Sequence, residues 1–121
     1  MSVVLVADDD EDVLLLVSTV LAREGHEVIA TRDGAEALAA AQQRRPDLAV
    51  LDVAMPELDG LEVLRRLRAD ATTAAVPVVL LSARVQEDDV KSGYADGANP
   101  YVQKPFSPRE LTERVSELLG G

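Results

Sequence analysis

Short apolar runs divide the chain and predict β-strands. The runs are continuous rather than alternating, which is typical of strands that are buried on both faces of a sheet. Four runs are clear, at residues 3–6, 28–30, 48–51 and 78–81, and a weaker fifth occupies residues 101–103.

Helical patterns separate these runs. Apolar residues recur in the first at i, i+3, i+4, i+7 and i+8 spacing, so the prediction is that one face packs on the core. That face consists of Val13, Leu16, Val17, Val20 and Leu21. Gly25 is a plausible end for this helix. The second helix is predicted to begin at Asp33, with Glu36 three residues on, and to end before Pro46.

Two further helices are clear and one is weak. The third carries Leu61, Val63, Leu64 and Leu67. The last begins at Ser107, where an N-cap serine precedes proline at the first helical position and glutamate at the third. Residues 86–96 predict a fourth helix, in chain order, that Gly93 weakens.

The alternation of strands and helices predicts one α/β domain over residues 1–121, with a parallel sheet and right-handed crossovers. Ligands of such sheets bind outside the carboxyl ends of the strands. Five residues with functional side chains follow or end the predicted strands, and we expect them to converge at that edge: Asp8, Asp9, Asp52, Ser82 and Lys104.

These side chains form a chemically coherent set. Three clustered carboxylates repel one another unless a cation lies between them, and Mg²⁺ suits a site with few protein oxygen ligands. A carboxylate also accepts phosphoryl groups, and Asp52 is the candidate because its strand is predicted at the centre of the sheet. Lys104 and Ser82 supply a positive charge and a hydrogen-bond donor for the phosphoryl oxygens.

Composition narrows the range of partners. The net charge of −10 disfavours direct nucleic-acid binding. The chain has no cysteine, so disulfides and thiolate metal sites are excluded. A charged leader and a long apolar run are both missing, and we therefore expect a cytoplasmic protein with no membrane contact.

The set of motifs resembles the receiver domain of a two-component response regulator, and the resemblance covers essentially the whole chain. The matching motifs are Asp8-Asp9, Leu51-Asp52, Met55-Pro56, Asp59-Gly60, Ser82-Ala83 and Lys104-Pro105-Phe106. The resemblance implies a flavodoxin-like, CheY-like fold. Its doubly wound parallel sheet would have five strands in the order 2-1-3-4-5, with five flanking helices.

The resemblance also implies roles for single residues. Asp52 would take a phosphoryl group from a histidine kinase or phosphotransfer protein. The domain itself would catalyse both its phosphorylation and its dephosphorylation. Mg²⁺ would be bound by Asp9 directly, by Asp8 largely through water, by Asp52 and by the backbone carbonyl of Ala54. Lys104 would pair with the phosphoryl group.

A second group of implied roles concerns signal output. Ser82 and Tyr101 would be switch residues, although Tyr101 as a plain strand aromatic stays open. A cis bond is implied between Lys104 and Pro105. The surface of the fourth helix, fifth strand and fifth helix would bind a downstream effector, with a homodimer on phosphorylation as a further option. No output domain is expected in this chain.

Three features depart from the family pattern. Ala54 is small and Arg84 is long and charged, and we hypothesise that this pair controls the access of water to the aspartyl phosphate. Asn99-Pro100 restrains the segment before the switch residue. Leu14 and Leu15 lie off the predicted core face, so at least one is expected to be an exposed docking position or a stray surface leucine.

Other functions fit the residues less completely. A haloacid-dehalogenase-like phosphatase would use Asp8 as nucleophile and Asp10 as acid, but it leaves Asp52 unexplained. A pseudo-receiver that only binds partners does not require the full acidic set. An EF-hand is excluded because Val13 and Thr19 occupy the positions where its loop needs glycine and glutamate.

Overall fold

The computed structural model describes residues 2–55, 57–82, 101–103 and 106–120. Its five strands are β1 (Val3–Ala7), β2 (Glu27–Thr31), β3 (Leu48–Asp52), β4 (Val78–Ser82) and β5 (Tyr101–Gln103). All neighbouring strands pair in parallel, in the order β2-β1-β3-β4-β5. The predicted strand order is therefore confirmed.

Four helices lie within the described residues. They are α1 (Glu11–Arg23), α2 (Gly34–Arg44), α3 (Gly60–Ala69) and α4 (Pro108–Leu118). The helix predicted at residues 86–96 lies outside the described residues, so α4 is the helix that the sequence predicts as the fifth. No described helix has the length and apolar content needed to cross a membrane.

The sheet is covered on both faces, which explains why its strands are continuous apolar runs. Alternate strand residues point to opposite faces. One apolar cluster joins Leu5, Leu51 and Leu80 to α2 and α3. The other joins Val6, Val50 and Leu81 to α1 and α4. The site-bearing ends of β1, β3 and β4 are thus fixed between two layers of packed side chains.

The predicted core face of α1 needs a correction. Leu14 is buried with 8% exposure, together with Val17 and Leu21, whereas Leu16 is 41% exposed and Leu15 is 67% exposed. The core side of the helix is therefore rotated toward Leu14, with spacing i, i+3 and i+7. The expectation that at least one of Leu14 and Leu15 is exposed is met by Leu15.

The helix ends follow the predicted signals. The Ser107 hydroxyl accepts a hydrogen bond from the Glu110 backbone N–H at 3.1 Å and caps α4. At the end of α1, Gly25 has φ of +91°, the left-handed conformation that favours glycine after a helix. The α2 helix ends at Arg44, before Pro46, as predicted. These signals fix where the chain turns toward each strand.

Candidate functional site

Three neighbouring strands bring polar side chains to the carboxyl edge of the sheet. Asp8 directly follows β1, while Asp52 and Ser82 are the last residues of β3 and β4. The pairing of Asp52 with Leu81 places Ser82 one residue beyond that register. The expected convergence at this edge is therefore observed for the residues that the structure describes there.

An acidic cluster forms at the centre of this edge. Asp8, Asp9 and Asp52 each offer a carboxylate oxygen, and these three atoms all lie within 4.8 Å of one another. Asp8 and Asp52 are buried, with 0% and 4% exposure, and Asp9 is exposed. Two unit charges about 4 Å apart repel by about 4 kcal/mol at an effective dielectric constant near 20. A cation among the three carboxylates offsets this repulsion.

The backbone orients Asp8 toward the cluster. The Asp8 N–H donates to the Thr31 carbonyl at 3.2 Å, which ties this residue to the end of β2. Its Oδ1 accepts a hydrogen bond from the Asp10 N–H at 2.9 Å. The Thr31 hydroxyl in turn donates to the Val6 carbonyl at 2.8 Å. Hydrogen bonds thus hold the Asp8 backbone against β2 and its carboxylate against the backbone of Asp10.

Asp10 caps the helix that follows the acidic cluster. Its Oδ1 accepts hydrogen bonds from the backbone N–H groups of Asp12 at 2.9 Å and Val13 at 3.3 Å. It is the N-cap of α1. A side-chain oxygen at this position accepts hydrogen bonds from the N–H groups of the first helical turn, which have no partner within the helix. Asp10 is therefore engaged by the backbone of α1 and is not one of the three residues of the acidic cluster.

The segment after β3 holds Asp52. The Ala54 N–H donates to Asp52 Oδ1 at 3.3 Å, and the Val53 N–H donates to the Leu81 carbonyl at 2.9 Å. The Gly60 N–H donates to the Val53 carbonyl at 3.0 Å. These bonds place the Asp52 carboxylate at the sheet edge with its neighbouring backbone fixed.

The remaining predicted residues divide into two groups. Ser82 is buried at the end of β4, with 6% exposure, and Ala54 is exposed beside Asp52. Lys104, Pro105 and Arg84 lie outside the described residues, as does the side chain of Tyr101. The roles predicted for those four, including the cis bond before Pro105, therefore stay predictions.

The donor set suits a hard divalent cation. Every atom in the cluster is an oxygen, and the three carboxylates come from two strand ends that the fold fixes. Oxygen ligands and a partial protein coordination shell are typical of Mg²⁺ sites, in which waters complete the octahedron. Asp8, Asp9 and Asp52 are the residues that would hold such an ion.

Fold and site together define a class. The sheet is doubly wound and parallel, and its acidic site lies at the carboxyl ends of β1 and β3. The family model of the response regulator receiver domain matches residues 4–116. The chain therefore belongs to the response regulator receiver domain family of two-component signalling.

A curated relative agrees with this assignment. Over 116 residues, 96% of this chain, it is 44% identical to the alkaline phosphatase synthesis transcriptional regulatory protein PhoP of Bacillus subtilis. The match covers 48% of PhoP, so the chain spans about half the length of this curated relative.

Solved structures show the same fold. The chemotaxis protein CheY4 of Vibrio cholerae superposes with a TM-score of 0.93 at 33% identity, covering 98% of each chain. The receiver domain of sensor histidine kinase PA1611 from Pseudomonas aeruginosa has a TM-score of 0.91 at 28% identity, covering 99% of this chain and 98% of that one. That structure has a magnesium ion coordinated in its active-site cleft.

Sequence reasoning missed Gly34 and used Gly60 only as part of the Asp59-Gly60 motif, although both residues shape this site. Gly34 and Gly60 begin α2 and α3, and both pack against the segment that follows Asp52. A signal was present in the sequence, because both helices begin with the pattern Asp-Gly-X-Glu. The pattern identifies a helix start, but the surface that the glycine contacts is known only from the fold.

Proposed function

We propose that this receiver domain is a phosphorylation switch whose phosphoacceptor is Asp52 and whose cofactor is Mg²⁺. The observation that supports the proposal most directly is the cluster of Asp8, Asp9 and Asp52 within 4.8 Å at the carboxyl edge of the sheet. The phosphoryl donor is a histidine kinase or phosphotransfer protein, and the reaction takes place in the cytoplasm.

Asp52 is the acceptor among the three carboxylates because of its surroundings. It ends the central strand β3, between β1 and β4, and the Ala54 N–H positions its Oδ1. The Asp8 Oδ1 is bonded to the backbone that leads into α1, and Asp9 is exposed at the rim. Asp8 and Asp9 therefore serve as metal ligands, with the Ala54 carbonyl as a further one.

The proposed reaction transfers one phosphoryl group between two nucleophiles. An Asp52 carboxylate oxygen forms a bond to phosphorus as the bond from phosphorus to the donor histidine nitrogen breaks, and the imidazole keeps that electron pair. Bound Mg²⁺ would supply positive charge for the phosphoryl oxygens. Ser82 donates a hydrogen bond to them and Lys104 adds a second positive charge. Water later attacks phosphorus and releases phosphate, which returns Asp52 to its carboxylate.

Signal output is proposed to depend on the charge that phosphorylation adds. Phosphorylation biases a two-state element, and an effector responds through its differential affinity for the two states. Ser82 and Tyr101 are the proposed switch residues. The proposed effector surface comprises residues 86–96, β5 and α4, and a homodimer on this surface is a second form of output. Residues 1–121 are proposed to form a single receiver domain. Its net charge of −10 disfavours direct binding to nucleic acid.

Incubation with a small phosphodonor tests the function. Acetyl phosphate and Mg²⁺ are expected to add one phosphoryl group to the protein, detected by intact mass, and EDTA is expected to prevent the addition. An acyl phosphate is also labile to hydroxylamine, whereas a serine phosphate is stable. If neither acetyl phosphate nor phosphoramidate yields a metal-dependent adduct, and a beryllofluoride mimic leaves the Ala54 and Ser82 amide resonances unchanged, the proposal is wrong.

Ala54 is expected to influence the lifetime of the phosphoryl group. Its side chain is exposed and its N–H contacts the Asp52 carboxylate, so a larger residue there stands in the path of water. The variant Ala54→Asn is expected to change the first-order rate of phosphate loss several-fold. Ala71→Asn, which lies on the exposed turn after α3, is the matched control and should keep the wild-type rate. An unchanged lifetime in Ala54→Asn contradicts the hypothesis.

A further inference from the structure

Two helices begin with the same local arrangement. Residues 33–36 (Asp-Gly-Ala-Glu) start α2 and residues 59–62 (Asp-Gly-Leu-Glu) start α3. In each, the aspartate side chain accepts the backbone N–H of the glutamate at 2.8 Å, and glycine is the first helical residue. Glycine is a poor helix former, and neither of these two has a positive φ. Backbone conformation therefore does not account for either glycine.

Close approach of neighbouring backbone accounts for both. A Cβ at Gly60 would lie 2.4 Å from the Asp52 carbonyl oxygen and 3.0 Å from the Val53 Cα. A Cβ at Gly34 would lie 2.1 Å from the Leu58 carbonyl oxygen and 2.6 Å from the Leu58 Cβ. A Cβ closer than about 3 Å to a non-bonded heavy atom is repelled by it, and the atoms in the way belong largely to backbone. A side chain at either position would force the neighbouring backbone to move.

These contacts lie along the connection between β3 and α3, of which the structure describes residues 53–55 and 57–59. Gly60 lies against Asp52 and Val53, and Gly34 lies against Leu58. Within this connection, the Ala54 N–H donates to Asp52 Oδ1 at 3.3 Å. Glu57 has φ of +65°, a conformation that costs energy for a residue other than glycine and persists only where the surroundings hold it. Each described part of the connection is therefore held by the start of a helix, residues 53–55 by Gly60 and residues 57–59 by Gly34.

The helix that carries Gly34 is itself anchored in the core. Ala37 and Ala41 of α2 belong to the same apolar cluster as Val63 and Leu64 of α3, and Leu58 packs against that cluster. Since this packing fixes α2, its first residue, Gly34, has a fixed position against Leu58. The position of α2 thus reaches the acidic cluster through Leu58 and Gly60, because the Gly60 N–H donates to the Val53 carbonyl next to Asp52.

We propose that Gly34 is a positioning residue for the phosphorylation site. Its missing side chain lets α2 approach Leu58, which fixes the start of α3 at Gly60. Gly60 in turn positions the backbone of Asp52 and Val53, so that the three carboxylates can share one cation. The inference rests on the proposed function, because the affinity it concerns is that of Mg²⁺ for Asp8, Asp9 and Asp52. It assigns a role to a residue on a helix that contributes none of these ligands.

The test compares two glycine substitutions by isothermal titration with Mg²⁺ alone. Gly34→Ala is expected to weaken Mg²⁺ binding about 10-fold or more, the usual effect of losing a residue that orients metal ligands. Gly25→Ala is the matched control, because Gly25 has φ of +91° and no heavy atom within 4 Å of an added Cβ. The variant Gly25→Ala strains the backbone far from the site and should bind Mg²⁺ with the affinity of the wild type. Circular dichroism verifies that each variant is folded at the titration temperature.

The outcomes separate this proposal from the proposed function. If the wild type binds Mg²⁺ and Gly34→Ala binds it equally well, or is weakened no more than Gly25→Ala, the positioning role is overturned and the function stands. If the wild type itself does not bind Mg²⁺, the proposed function fails. Should Gly34→Ala not fold, the Gly34 amide resonance of the wild type decides. A shift that follows the Mg²⁺ titration supports the role, and no shift overturns it.

Discussion

Asp52→Asn is expected to abolish phosphorylation of this protein by acetyl phosphate in the presence of Mg²⁺. The amide of asparagine is not a nucleophile at neutral pH, and the substitution also removes one of the three negative charges of the cluster. The expected effect is the complete loss of the adduct in an intact-mass measurement. Both consequences act in the same direction, which makes this the largest functional effect that the structure predicts.

Two further variants make this result specific. Asp12→Asn removes an equal charge from the exposed first turn of α1, outside the cluster, and should be phosphorylated like the wild type. Asp8→Asn is expected to slow the reaction by weakening metal binding without removing the acceptor. An adduct that survives in Asp52→Asn but is absent from Asp8→Asn would contradict the assignment and favour the phosphatase mechanism with Asp8 as nucleophile.

Leu21→Ala is expected to lower the free energy of unfolding by about 2–5 kcal/mol, the usual cost of truncating a fully buried leucine. Leu21 has 0% exposure and packs in the cluster between the sheet, α1 and α4. The substitution removes its transfer free energy and leaves a cavity in a close-packed layer. Urea unfolding followed by circular dichroism measures the effect, since the chain has no tryptophan.

The same helix supplies the control. Leu15 is 67% exposed, so Leu15→Ala is expected to change the free energy of unfolding by no more than about 0.5 kcal/mol. Leu14→Ala and Leu16→Ala then test the rotation of α1, and the first should be clearly more destabilising. Equal effects at positions 14 and 16 would contradict the packing seen here.

The parallel sheet was predictable because buried parallel strands are continuous apolar runs, whereas the strand order was implied by the resemblance to receiver domains. All of β1 and the first four residues of β3 and of β4 are apolar, and the polar residues at the carboxyl ends of these strands identify the edge that carries the site. The convergence of Asp8, Asp9 and Asp52 follows from topology alone, once the strands are parallel. The place of this part of the site in the fold is therefore predictable from the sequence.

The rotation of α1 was not predictable in the same way. Residues 14–16 are three consecutive leucines, so a core face built on Leu16 and one built on Leu14 fit the helical period almost equally well. Packing against the sheet and α4 selects Leu14, Val17 and Leu21. The periodicity predicts that α1 is amphipathic, but tertiary contacts determine which leucine is buried.

The role of Gly34 lay beyond sequence reasoning for a related reason. Its neighbour in space is Leu58, 24 positions along the chain, and the contact exists only because α2 and α3 lie side by side on one face of the sheet. A local pattern shows that a helix begins there, but it does not show what the first turn touches. Long-range backbone approach of this kind is visible only in the folded chain.

The central claim is that Asp52 carries the phosphoryl group, and reduction of the phosphorylated protein by borohydride tests it most directly. Borohydride converts an aspartyl phosphate into homoserine and leaves the other aspartates intact. Peptide mass mapping after treatment with acetyl phosphate and Mg²⁺ should find homoserine at position 52. Homoserine at position 8 or 9, with unchanged aspartate at position 52, would contradict the account.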